Sequence, residues 1–325
     1  MPSRLILLAG LLVAACAVTE PTAERAVQSQ GAASTGAAAP GAKIVHMEMR
    51  YKIEAPGDTQ RARFLLLVPK DLPGRQRVQS LEWILPPTGT YERAGGLEAE
   101  WIFDEPKGSF ELGCVLTVEL VPFDLAHPSE DVETDPVVLA TYLRDEAFLE
   151  KHSPRVARAT RELAPKKAAG LKLLRELFEG TLFELENHGF IKAERGANRA
   201  LKMGGGDCTD FSDVLVALCR GRGLPARHVR GVLARPFSSK DTPKHSWVEV
   251  HLPERGWVRV DPFFTKLGHT SFEELPNEYV SVSFDRNEEV ENFWRYWHWG
   301  DAITVTETLD LGHGTWTETV GPKRD

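Results

Sequence analysis

Apolar and polar residues alternate along the chain behind residue 42. Between 45 and 53 the apolar side chains occupy odd positions, and His46, Glu48, Arg50 and Lys52 lie between them. A period of two is typical of a strand with one buried face. Similar runs occur at 63–68, 78–85, 100–103 and 110–121. Short strands that follow one another without helices predict a small antiparallel β-sandwich for residues 43–124.

The pattern changes at Pro136. Helical spacing with few breakers covers 137–148, 154–163 and 166–186, and alternation returns after Gly223 and continues to the end. Helices combined with antiparallel strands predict an α+β fold. We place the domain boundary between 124 and 135, so that residues 135–325 form a second domain.

The first residues have the pattern of an export signal. Residues 1–4 are basic, 5–13 are apolar, and Val-Ala-Ala-Cys16 follows. We interpret residues 1–15 as a signal peptide, because the apolar run is too short for a transmembrane helix. The motif also resembles a bacterial lipobox, which implies lipidation of Cys16; the alternative is an ordinary signal peptide cut after Ala15. Residues 16–42 then form a lipidated tether. We expect the protein to be anchored to a membrane by this lipid and to face the periplasm or the cell surface.

Composition excludes some functions and selects none. The 325 residues include 39 basic and 47 acidic ones, a formal net charge of −8, which argues against nucleic-acid binding. Cys208 and Cys219 fall on one predicted helix, about 16 Å apart, beyond disulfide reach. Cys114 lies in a strand-like run, and no Cys or His spacing matches a zinc site. We expect no structural disulfide, no metal and no cofactor.

The strongest chemical signal is a cysteine behind three glycines. Gly204–206 precede Asp207, a good N-cap for a helix that begins at Cys208. Apolar residues then recur with helical spacing, at Phe211, Val214, Leu215, Leu218 and Cys219. The N-terminus of such a buried helix favours a thiolate. Glycines immediately before it would let a substrate backbone approach closely.

A cysteine nucleophile needs a base and a group that orients the base. His245 opens a strand-like run, 253–256 form a turn, and the return strand ends at Asp261. If Leu252 pairs with Gly256, Asp261 lies opposite Trp247 and diagonal to His245, on the same sheet face. An even loop would turn Asp261 to the other face.

Four segments together resemble the transglutaminase-like superfamily: 206–212 (GDCTDFS), 217–227 (ALCRGRGLPAR), 245–250 (HSWVEV) and 256–262 (GWVRVDP). The resemblance implies a papain-like α+β core with a catalytic triad. By position, Cys208 is the nucleophile, His245 the base and later the acid, and Asp261 the orienting carboxylate.

The chain departs from the family pattern at informative places. Thr209 follows the cysteine where crosslinking animal transglutaminases have Trp, and no acidic loop suggests calcium activation. Papain-like enzymes have an oxyanion-hole Gln where this chain has Lys202. We therefore assign only the Cys208 backbone N–H to the oxyanion hole. Asp207 and Asp210 flank the thiol and oppose its ionisation.

These residues predict an exported, cysteine-dependent amide hydrolase that acts on peptides or proteins through a thioacyl intermediate. A transglutaminase that joins glutamine to an amine is one alternative, and a non-catalytic envelope-binding module is another. Each residue also has an ordinary structural interpretation. Trp247 and Trp257 are expected in the core, and Arg227 in a carboxylate pair. The aromatic run 293–299 fits core packing better than a peptide or glycan groove, and the charged run 286–291 fits a solvated turn.

Overall fold

The computed structural model describes residues 41–127, 135–164, 166–191, 193–235, 242–287 and 293–321. The predicted signal peptide, Cys16 and the tether as far as residue 40 lie outside the described residues. Within these ranges no helix is both long and apolar enough to cross a bilayer.

The described chain forms strands and helices in a mixed order. The strands are β1 (Lys43–Ala55), β2 (Thr59–Pro69), β3 (Gln76–Trp83), β4 (Gly89–Glu92), β5 (Gly96–Asp104), β6 (Gly108–Leu120), β7 (Phe123–Asp124), β8 (Glu186–Asn187), β9 (Gly205–Gly206), β10 (Ala226–Leu233), β11 (Lys244–Leu252), β12 (Gly256–Val260), β13 (Glu274–Leu275), β14 (Tyr279–Ser283), β15 (Trp294–Gly300), β16 (Thr304–Asp310) and β17 (Thr315–Val320). The helices are α1 (Pro136–Thr141), α2 (Pro154–Glu162), α3 (Gly170–Glu184), α4 (Ala197–Met203), α5 (Cys208–Gly221) and α6 (Pro262–Lys266).

Two antiparallel sheets form the predicted sandwich. Their strand orders are β17-β16-β1-β6-β3 and β15-β2-β5-β4. The alternation in β1 sets the inner face, since Met47, Met49 and Tyr51 are all buried. Aromatic side chains from both sheets meet between them; the ring centroids of Tyr51 on β1 and Phe64 on β2 lie 5.1 Å apart. The predicted fold class, helices on an antiparallel sheet behind a small β-sandwich, is confirmed.

The last three strands belong to the sandwich sheets. β16 pairs with β1, and β15 pairs with β2. The division at 43–124 and 135–325 stays a prediction, but this pairing connects the two ranges. The physical reason is that exposed edges of β1 and β2 need covering, and alternation alone does not say which edge a strand covers. The aromatic run is buried at Phe293 and Trp294, whereas Trp299 is 49% exposed.

A second core surrounds α5. This helix packs against the four-stranded sheet β12-β11-β10-β14 and against α2, α3, α4 and α6. The five apolar positions predicted for its buried stripe are all fully buried. One helix prediction was wrong in its second half, because α1 ends at Thr141 and not near residue 148. Beyond it, an isolated bridge joins Glu146 to Leu149.

Buried polar contacts join the two cores. Arg75, in the sandwich, pairs with Glu249 on β11, and Arg227 on β10 binds the same carboxylate at 2.6 Å. The predicted pairing of Arg227 is therefore confirmed. The side chain of Gln76 also bonds the backbone of Ser281 in both directions, with N–O distances of 2.9 and 2.8 Å. These contacts attach β11, the strand that carries His245, to the sandwich.

Candidate active site

Cys208 is the first residue of α5, as predicted. The Asp207 carboxylate accepts hydrogen bonds from the backbone N–H groups of Thr209 and Asp210, at 3.0 and 3.4 Å. The Asp210 carboxylate accepts one from the Asp207 N–H at 3.0 Å, which completes a capping box. The sulfur thus lies at the N-terminus of a helix, where the helix dipole stabilises negative charge.

The other two described cysteines differ from Cys208 in exposure. Cys114 and Cys219 are completely buried, and burial raises the pKa of both thiols well above the ordinary range. Cys208 is partly exposed. Of the three, only Cys208 therefore combines solvent access with a helix N-terminus.

The glycines before Cys208 have a structural reason that differs from the predicted one. A β-carbon on Gly205 would lie 2.4 Å from the Glu186 carbonyl oxygen. One on Gly206 would lie 2.3 Å from the Asp210 side chain. Gly204 ends α4 in the left-handed region, with φ of +66°. Gly205 and Gly206 are needed because the protein's own backbone and cap approach so closely, and Gly204 suits the left-handed conformation that ends α4.

His245 and Asp261 meet through the predicted strand register. Leu252 pairs with Gly256, and Val248 pairs with Val260, so that Asp261, just past the end of β12, continues the register opposite Trp247 and diagonal to His245. The His245 Nε2 atom lies 2.7 Å from Asp261 Oδ2. Both side chains are buried, His245 to 5% exposure and Asp261 to 0%. The predicted pairing of Leu252 with Gly256 is confirmed.

Asp261 accepts three hydrogen bonds. Besides His245, the backbone N–H of Phe264 donates to Oδ1 at 2.9 Å, because Asp261 is the N-cap of α6. The Tyr279 hydroxyl donates to Oδ2 at 2.8 Å. Burial, and then the charge of Asp261, raise the pKa of Tyr279, so the phenol stays protonated as a donor. Sequence reasoning missed Tyr279, which occurs in an ordinary alternating strand without any motif.

The charges around His245 favour its protonated form. Burial lowers the pKa of the imidazole, but the charges of Asp261 and Cys208 and the hydrogen bonds to both outweigh it and raise that pKa to about 10. Because Nε2 is bonded to Asp261, Nδ1 is the ring nitrogen left for the sulfur. An imidazolium donates from both nitrogens. The three predicted residues are therefore brought together in a single hydrogen-bonded series.

Aromatic rings surround this series. The Phe264 ring centroid lies 4.2 Å from that of His245, and Trp247 and Phe263 each lie 6.3 Å away. Trp247 and Trp257 are buried, as predicted. An apolar wall keeps the local dielectric low and strengthens the charge–charge interactions within it.

Two carboxylates flank the thiol, but one is compensated. Arg195 forms a buried ion pair with Asp210. Burial, and then the charge of Asp210, raise the pKa of Asp207 to about 6. Arg195 was missed by the sequence analysis, since it lies fifteen residues before its partner without a recognisable motif. Lys202 is exposed on α4. Among the described residues no group of His, Cys, Asp and Glu could hold a metal ion.

Comparison with known proteins agrees with this geometry. Residues 156–262, which include Cys208, His245 and Asp261, match the model of the transglutaminase-like superfamily. This segment belongs to that superfamily. A curated relative, the uncharacterized protein YebA of Bacillus subtilis, is 37% identical over 68 residues. That alignment spans 18% of this chain and only 9% of the relative.

One solved structure extends the likeness to most of the fold. A protein of Cytophaga hutchinsonii, described as a candidate cysteine protease, aligns over 87% of this chain and 92% of its own, with a TM-score of 0.56 and 15% identity. The periplasmic domain of TgpA from Pseudomonas aeruginosa aligns over 67% of this chain and 90% of its own, with a TM-score of 0.36 and 18% identity. The transglutaminase-like match supports a cysteine-dependent enzyme as the general class.

Proposed function

We propose that this protein is an exported, lipid-anchored cysteine hydrolase that cleaves amide bonds in peptides or proteins of the cell envelope. One observation carries the proposal. Cys208 lies at the N-terminus of a buried helix, and its neighbour His245 is bonded to Asp261 at 2.7 Å and has a pKa raised to about 10. A thiolate beside an imidazolium is the reactive pair that amide attack requires.

The reaction would proceed in two steps. The Cys208 sulfur forms a bond to the amide carbonyl carbon. The resulting oxyanion accepts a hydrogen bond from the Cys208 backbone N–H at the helix N-terminus. His245 gives its proton to the leaving amine as the carbon–nitrogen bond breaks, which leaves a thioacyl enzyme. Water then loses a proton to His245 and attacks the thioacyl carbon, and the carboxylic acid and free Cys208 are released. Asp261 orients the imidazole in both steps.

The anchor and the site support an envelope substrate. Gly41, the first described residue, accepts a hydrogen bond at 2.6 Å from Asn277, two residues before Tyr279. The tether would therefore leave the folded part on the segment that leads to the site. A lipid anchor on Cys16 would keep the enzyme at the membrane surface, where peptides and proteins of the envelope are its substrates.

The test uses glutamine-containing peptides together with a dansylated amine. We expect release of ammonia or a peptide fragment without incorporation of the amine, and Cys208→Ser should abolish turnover while the fold is kept. Cys219→Ala, at the other end of α5, is the matched control and should stay active. Incorporation of the dansylated amine would instead identify a transglutaminase. Full activity of folded Cys208→Ser would contradict the nucleophile assignment.

A further inference from the structure

An arginine stands at the edge of the aromatic wall around His245. The Arg235 guanidinium carbon lies 4.2 Å from the centroid of the Phe264 ring, and that ring lies 4.2 Å from His245. Arg235 also acts on the phenol of Tyr279, where its charge opposes the rise in pKa caused by burial and by Asp261. The guanidinium is therefore separated from the proposed catalytic imidazole by a single side chain.

Among the described residues, Arg235 has no carboxylate partner, in contrast to the buried arginines near the site. Arg195 is paired with Asp210, and Arg286 with Asp213. In the part of the chain that the structure describes, no ion pair or hydrogen bond involves the Arg235 side chain, and its contact is the face of Phe264. The residue is half-buried. A guanidinium presents five N–H donors in a planar fork that matches a carboxylate.

The positive charge of Arg235 contrasts with the net negative charge of the chain. The chain carries a formal net charge of −8, which repels acidic molecules at long range. A positive group beside the site offers an acidic substrate a local attraction. The half-buried position strengthens that attraction relative to a fully exposed pair.

We propose that Arg235 binds a carboxylate of the substrate close to the amide that is cleaved, so that the enzyme prefers acidic peptides. This inference rests on the proposed hydrolase function. An aspartate or glutamate side chain or a terminal carboxylate would supply the same chemistry. Arg235 is then a specificity-determining residue, and Phe264 holds its guanidinium in place by a cation–π contact.

The test compares peptides that differ in one charge. The probes are short peptides with a fluorophore and a quencher at their ends, in which each position around the central amide is in turn Glu or Gln. At one position we expect wild-type kcat/KM to be about 10- to 100-fold higher for Glu, as is typical of a charge-assisted contact. Arg235→Gln should remove this preference, because kcat/KM should fall much further for the Glu peptide than for the Gln peptide. Arg235→Lys should retain part of it.

Arg61→Gln, the same change at an exposed sandwich position paired with Asp104, is the matched control and should keep the full preference. Equal loss for Glu and Gln peptides in Arg235→Gln would overturn the proposal, because it would mean that Arg235 only supports Phe264. The absence of a Glu preference at every position in the wild type would also overturn it.

A binding measurement separates this inference from the proposed function. Fluorescence anisotropy of the same peptide sequences, labelled with the fluorophore alone and bound to Cys208→Ser, needs no turnover. If no peptide is cleaved by the wild type, the hydrolase proposal fails, and binding alone decides the role of Arg235. Tighter binding of the Glu peptide that is lost in Cys208→Ser/Arg235→Gln supports the subsite, whereas equal binding of Glu and Gln peptides overturns it.

Discussion

Two buried His–Asp pairs lie in the same half of the molecule, but the pKa values of their histidines are shifted in opposite directions. His245 Nε2 lies 2.7 Å from Asp261, and His228 Nδ1 lies 2.8 Å from Asp213. All four side chains are almost completely buried. Yet the pKa of His245 is raised to about 10, whereas that of His228 is lowered. A hydrogen-bonded His–Asp pair therefore does not by itself identify a catalytic site.

The difference comes from the other partners of each carboxylate. Arg286 binds both oxygens of Asp213, at 2.8 and 3.0 Å, and its charge helps to lower the pKa of that carboxyl although burial opposes this. Burial lowers the pKa of His228, and the positive charge of Arg286 counters the help from Asp213. Asp261 instead receives neutral donors, the Tyr279 hydroxyl and the Phe264 N–H. Its negative charge remains available to the imidazolium.

The second ring nitrogen also distinguishes the pairs. His245 has Cys208 as a further hydrogen-bond partner, and the sulfur charge raises the imidazole pKa. His228 Nε2 is buried with no hydrogen-bond partner in the described ranges. The comparison teaches that the reactive pair is the one whose carboxylate lacks a competing cation and whose imidazole faces a nucleophile.

The largest expected effect separates the two histidines by activity. His245→Gln should lower kcat/KM about a thousandfold or more, because it removes the proposed general acid and base. His228→Gln should leave the activity per folded molecule within a few-fold of wild type. Peptide cleavage normalised to folded protein, by circular dichroism, measures both. Comparable losses in the two variants would contradict the distinction.

The next effect concerns Arg286. Arg286→Met leaves Asp213 buried without its cation, which should cost about 3–5 kcal/mol of the free energy of unfolding. The pKa of His228 should rise in the same variant, because the opposing positive charge is gone. Urea unfolding and an NMR titration of labelled histidine check the two results. A variant with unchanged stability and an unchanged His228 pKa would show that Arg286 does not cause the difference in histidine pKa between the two pairs.

The pH dependence sharpens the comparison further. The pKa of His245 is raised, so its contribution to stability is fully present below its ordinary value of 6.5 and is lost as the pH rises through about 10. We expect kcat/KM to fall along an alkaline limb near pH 10, when the imidazolium loses its proton. Tm measured against pH for wild type and His245→Gln should converge over the same window. A limb near pH 6.5 would contradict the assignment.

Tyr279→Phe should give the smallest effect. It removes one neutral donor from Asp261, which should cost about 1 kcal/mol of stability and lower activity several-fold. Tyr51→Phe is the matched control, because the Tyr51 hydroxyl bonds the buried Glu307 carboxylate at 3.0 Å inside the sandwich. It should destabilise the protein similarly and leave activity unchanged. Equal activity of the two variants would show that the Tyr279 hydroxyl does not contribute to catalysis.

Local signals explain what could be predicted from the sequence. The start of α5 depends on a capping residue and the apolar stripe behind it, and the approach of Asp261 to His245 depends on the length of one turn. The residues that decide each of these two features lie within about twenty residues of one another in the sequence. The short helices α4 and α6 were not predicted, since one or two turns leave little periodicity.

Distant partners explain what could not be predicted. The sequence predicts a solvated turn over 286–291. Residues 288–291 lie outside the described residues, but Arg286 is buried on Asp213, 73 residues away in sequence. The last strands joined the sandwich across more than two hundred residues. No local pattern names such partners, because ion pairs and strand edges are chosen by the folded arrangement.

Alkylation of the three described cysteines in the folded protein tests the central claim most directly. Iodoacetamide at pH 7, followed by mass spectrometry, measures the rate at each thiol. We predict rapid modification of Cys208, much faster than that of a free model thiol, slower modification in His245→Gln, and none at Cys114 or Cys219. A Cys208 rate no faster than the model thiol, and equal in wild type and His245→Gln, would contradict the proposed pair.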